Sequence, residues 1–74
     1  MASQQAFVVE ADGGWAVKVA GSIVSGPHRT QSEAQDAAGD WLLANGGGER
    51  VTLGEDGKIR EKDTIGRDDP RGNG

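Results

Sequence analysis

The chain has 74 residues, enough for one domain with a small core. Its formal net charge of −4 provides little surplus cation to neutralise phosphates, which disfavours non-specific nucleic-acid binding. Cysteine is absent and His28 is the single histidine, so no disulfide, metal site or cofactor is expected.

Gln5 to Glu10 reads as a short strand with Phe7 and Val9 on one face. Ala11-Asp12-Gly13-Gly14 follows as turn chemistry, because Asp-Gly and Gly-Gly supply the positive φ of tight hairpins. From Trp15 to Ala20 the pattern alternates. Trp15, Val17 and Val19 fall on one side, and Ala16, Lys18 and Ala20 on the other. Gly21-Ser22 makes a second turn, and Ile23 to Gly26 supplies a third short strand. Pro27, which lacks an amide proton, ends that strand or holds it at an edge.

Thr30 to Gly46 carries the strongest local signal. Thr30 followed by Glu33 has the spacing of a capping box. Ala34, Ala37, Ala38, Trp41, Leu42 and Asn45 then form one helical stripe. Gly46 suits the left-handed position after the last turn. Glu49 to Leu53 reads as a strand with Val51 and Leu53 inward. Gly54-Glu55-Asp56-Gly57 is a hairpin connection, and Lys58 to Asp63 completes the pair.

The expected architecture is α+β in the order β-β-(β)-α-β-β. It is a two-layer domain in which one helix covers an antiparallel sheet of three to five strands. The domain spans 1–64, and residues 65–74 form a polar tail expected to be mobile. The N-terminus has no basic region followed by an apolar run, and no stretch is of membrane length. The expectation is a soluble cytoplasmic protein with no membrane partner.

Enzymatic constellations are nearly absent, and catalysis is not expected. His28 has no nucleophile at a useful spacing, and no serine stands in a nucleophile-elbow context. The glycines at 46–48 follow the helix rather than precede it, and Gly13-Gly14 joins two strands. Neither has the order of a phosphate loop. Glu55, Asp56 and Asp63 lack the spacing of a calcium loop. The most functional-looking surface is Lys58, Arg60 and Lys62, which strand geometry places on one face, opposite Ile59, Glu61 and Asp63. That strip fits a lysine-protected edge strand or a contact for an anionic partner. Trp15 shares a face with Val17 and Val19, which favours core packing over an exposed recognition role.

The order GGWAVK, a short strand, H-x-T, S-E-A-x-x-A-A, a glycine-rich helix end and G-x-D-G-K-I-R-x-K-D closely resembles a small bacterial family of uncharacterised proteins, the domain of unknown function 2188. The resemblance runs from about Phe7 to Gly72 and includes a tail similar to the family's G-x-D-P. It implies the fold and carries no activity. The helix here, ending WLLANGG, is more apolar than that pattern, which points to self-association near Leu43 or Ala44. A looser resemblance links G-x-W-x-V and T-x-x-E-A to arm-type integrase and AP2 domains, which lay a three-stranded sheet in the major groove. Between Trp15 and Gly26 the single basic residue is Lys18, so the reading surface of those domains is missing.

The functional expectation is therefore a non-enzymatic interaction module that binds a protein partner or itself. Lys58, Arg60 and Lys62, then Trp15, are its candidate contacts. The alternative is nucleic-acid binding through the sheet, the same basic strip, Lys18, His28 and Arg29.

Overall fold

The computed structural model describes residues 4–66. The expected tail therefore lies outside the described residues from position 67 on. Composition alone places Ile65 in that tail, but it is the last residue of a strand and packs against the core.

Six elements follow in the expected order: β1 (Gln5–Ala11), β2 (Gly14–Val19), β3 (Ser22–His28), α1 (Gln31–Ala44), β4 (Gly48–Leu53) and β5 (Ile59–Ile65). They form a two-layer α+β domain with a five-stranded sheet in the order β3-β2-β1-β4-β5. The sheet is mixed rather than purely antiparallel, because β1 and β4 run parallel. Chain direction explains the difference. α1 returns the chain along the length of the sheet, so β4 runs the same way as β1 and β3. An antiparallel place for β4 exists beside β2 alone, and both edges of β2 are taken.

Two hairpins join the first three strands. Asp12 and Gly13 both have positive φ (49° and 79°), as a two-residue primed turn requires. The second turn is centred on Ala20-Gly21 (φ 52° and 83°), one residue earlier than the glycine alone suggested. Ala20 carries a side chain in a left-handed conformation that costs an ordinary residue roughly 1–2 kcal/mol. Ala20→Asn creates the Asn-Gly pair this turn favours, and is expected to stabilise the domain by about 1 kcal/mol. A higher thermal midpoint checks this; an unchanged or lower one contradicts it.

The helix starts as its sequence predicts. Thr30 Oγ1 accepts the Glu33 N–H at 3.1 Å. The Glu33 carboxylate reaches back to the Arg29 N–H at 3.3 Å, one residue before the position a strict capping box uses. At the other end Gly46 takes φ 94°, and the Gly47 N–H closes on the Leu42 carbonyl at 2.6 Å.

Helix and sheet meet through Ala34, Ala38 and Leu42 on α1 and Ala6, Val8 and Val17 on the strands, all fully buried. Trp15, Val19, Ala37, Trp41 and Ile65 close the edges of this cluster. The other half of the interlayer space is polar. Gln35 on α1 donates to Thr52 Oγ1 and to Glu61 Oε1, each at 3.0 Å. Arg50 donates to the Gln35 carbonyl at 3.1 Å and to Asp63 Oδ2 at 2.9 Å. Gly39, buried in α1, lies beside that guanidinium; a Cβ there would stand 3.4 Å from Arg50 Nη1, an ordinary contact.

This polar layer corrects the reading of β4. Arg50 and Thr52 face the helix, so Val51 and Leu53 face away from it. Val51 is buried, but on the sheet's uncovered side.

Candidate functional site: the uncovered sheet face

Side chains on neighbouring strands that stand directly opposite each other point to the same face. Val8, Val17 and Thr52 define the helix side, through the core cluster and the Gln35 bond. The alternate positions define the open side. One row crosses all five strands there: Ile23, Lys18, Phe7, Val51 and Lys62, each opposite the next. One residue along each strand pair beyond the helix-facing row lie Val9 opposite Ala16, and Leu53 opposite Ile59.

The open face is apolar at its centre. Ala16 and Val51 are fully buried by their neighbours, while Phe7, Val9 and Leu53 are half-buried. Ile23 and Ile59 are 53% and 61% exposed. Isolated exposed aliphatics are ordinary on protein surfaces, whereas a contiguous apolar patch rimmed by polar residues marks a contact surface. The rim consists of Lys18, Lys62, Gln5 and Glu49. Lys62 Nζ stands 3.8 Å from Glu49 Oε1, which also accepts from Gln5 Nε2 at 3.3 Å.

The basic strip expected on β5 is divided. Leu53 pairs with Ile59 and Thr52 with Glu61, so Arg60 is an extra residue at a bulge. The bulge breaks the expected alternation: Ile59 joins Lys62 on the open side, while Glu61 and Asp63 bond across the helix side. Lys58 precedes the strand, in the hairpin, where its backbone N–H donates to Asp56 Oδ1 at 3.0 Å. Arg60 packs its stem over Gly54. Trp15, Lys58 and Arg60 are brought together around a cleft of about 660 Å³ at the end of the sheet, with Gln31, Glu55 and Asp56 also on its wall. Ile59 lines this cleft and connects it to the open face. Trp15 thus packs against the core edge and borders the cleft.

Residues named for nucleic-acid binding are not gathered. Lys18 lies on the open face, and His28 pairs opposite Trp15 and shares a 2.8 Å hydrogen bond with Ser25. Arg29 precedes α1. Leu43 is 40% exposed near the end of α1, and Ala44 beside it is exposed too. The sequence reading missed Phe7, Val9 and Leu53 as surface residues. No local signal marked them, because the alternation of Arg50 and Thr52 with Val51 and Leu53 by itself puts the apolar phase under the helix.

Among the described residues, these features define a small two-layer α+β domain with one sheet face covered by α1 and the other bare. The chain belongs to the family described as an uncharacterized protein conserved in bacteria, DUF2188, whose model matches residues 6–65. No curated protein and no solved structure matches it significantly. Among the described residues, no helix is long and apolar enough to cross a membrane.

Proposed function

We propose that this domain is a non-enzymatic interaction module that binds a protein partner, or a second copy of itself, through its uncovered sheet face. The observation that carries this reading is the row from Ile23 to Lys62, an apolar centre with a lysine on either side of Phe7. The bare apolar surface favours association because burying it removes roughly 25 cal/mol per Å² of hydration cost. The β5 edge and the Trp15 cleft adjoin this face and extend the contact.

A photoactivatable phenylalanine analogue placed at position 7 tests the reading in the host cell, with the same analogue at Asp36 on the outer side of α1 as control. The expected result is a discrete protein adduct, with itself or another chain, from position 7 and none from position 36. No adduct at position 7, or equal adducts at both, contradicts it.

A second reading keeps the same face and changes the partner class. Phe7 between two lysines is a minimal platform for a single-stranded nucleic acid, which stacks bases on aromatic rings. One aromatic residue and a net charge of −4 weaken this reading. Binding that falls steeply with added salt would favour it.

A further inference from the structure

The open face has a shape as well as a composition. Lys18 on β2 and Lys62 on β5 stand in one row with Phe7 and Val51 between them. Neighbouring strands lie about 4.8 Å apart, which sets the two lysine backbones about 14 Å from each other. An α-helix with its side chains is about 10–12 Å across. A helix laid over Phe7, Val9 and Leu53 therefore fits between the two ammonium groups, with its own flanks beneath them. The opposite face already carries a helix, α1, over the same strands.

We infer that the uncovered face receives an amphipathic helix of another protein, with an apolar stripe bordered on both sides by Asp or Glu. This identifies the partner class of the interaction module proposed above and rests on that proposal. The partner's apolar stripe covers Phe7, Val9 and Leu53. Its carboxylates meet Lys18, which is exposed, and Lys62, whose side chain is 54% exposed and held loosely by Glu49.

Charge distribution favours this occupant over a second copy. A face-to-face pair turned about an axis along the central strands sets Lys18 of one copy against Lys62 of the other. Turned about an axis across the strands through their row, it sets each lysine against its own mate. Both arrangements bring like charges together. α1 of a second copy offers Glu33, Asp36 and Asp40, but its apolar stripe, Ala34, Ala38 and Leu42, is buried under its own sheet. These acidic residues also sit on the far layer. α1 has no Lys or Arg, and layers pack about 10 Å apart, so its carboxylates lie well outside contact distance of the open face. An incoming carboxylate therefore meets the two lysines at contact, with Glu49 beside Lys62 as the acidic residue of the rim, and the carboxylates of α1 only from the far layer.

The test uses the full chain and two fluorescent synthetic helices of about five turns. Both carry leucines along one stripe; one has glutamates on its flanks and the other has lysines. In anisotropy titrations the glutamate helix is expected to bind about tenfold more tightly than the lysine helix. The double variant Lys18→Glu, Lys62→Glu is expected to reverse that preference, with its circular dichroism spectrum and a cooperative thermal transition showing that it is folded. Equal affinity for both helices, or an unchanged preference in the double variant, overturns the proposal. If neither helix binds while position 7 still yields a protein adduct in the cell, the acidic-helix class falls and the interaction module stands. A labelled single-stranded oligonucleotide that binds more tightly than both helices overturns both readings. A concentration-dependent dimer dissolved by Phe7→Ser assigns the face to a second copy and overturns this inference.

Discussion

Leu42→Ala is expected to remove most of the stability of this domain. Leu42 is the largest of the fully buried side chains, and much of the cluster around it is alanine: Ala6, Ala34 and Ala38. Cutting a buried leucine back to alanine costs about 2–5 kcal/mol, the upper end where neighbours cannot collapse into the space. Alanines have no side-chain freedom with which to fill it. The polar layer formed by Gln35, Arg50, Thr52, Glu61 and Asp63 is likewise fixed by its own hydrogen bonds. Domains of this size are stabilised by only about 5 kcal/mol, so the loss takes much of the total. Circular dichroism during urea and thermal denaturation should show a strongly lowered midpoint or no cooperative transition. A midpoint within a degree or two of the parent would mean that α1 does not hold the sheet through Leu42.

Gly26→Ala is the second large effect, and it acts on the backbone. Gly26 has φ +107°, a conformation that side chains rarely adopt. A Cβ there would stand 2.9 Å from the Trp15 carbonyl oxygen and 3.0 Å from Ala16 Cα. Both are backbone atoms of β2, so the contact is relieved only by moving β3 away from its neighbour. Strained dihedrals and overpacking together predict a loss of about 2 kcal/mol or more. Hydrogen exchange should speed up selectively in β3, with the thermal midpoint lowered. Unchanged protection of β3 would contradict the close approach. Pro27 beside it adds to this edge's unsuitability for pairing with another strand, as do the two register shifts between β2 and β3.

Local chemistry was the legible part of this sequence. Thr30 and Glu33 announced the helix start, Gly46 its end, and Asp12-Gly13 a primed turn, because each depends on residues within one turn of chain. The fold class followed from the sequence of strand and helix patterns. The parallel placement of β4 follows from chain direction once β2 is known to be flanked on both sides, and the local hairpin signals carry no information on that pairing.

The facing of β4 was not legible for a different reason. β1 reads Ala6-Phe7-Val8-Val9, apolar in both phases, so it gives no clue to which side the helix takes. Apolar content suggested that Val51 and Leu53 point inward. The structure turns them outward because Gln35 on α1 bonds Arg50 and Thr52 instead. Such a network exists only after packing, and no spacing rule in one strand encodes it. The bulge at Arg60 is of the same kind. It separates Arg60 from Lys62, which simple alternation had joined, and turns one expected basic strip into two surfaces that meet at Ile59.

The most direct measurement of the central claim is amide chemical-shift mapping of the full chain during titration with the glutamate-flanked helix. The uncovered face predicts the largest shifts at Phe7, Val9, Lys18, Leu53 and Lys62, fading toward α1. Shifts centred on the outer side of α1, or on the Trp15 cleft without the sheet, would contradict it.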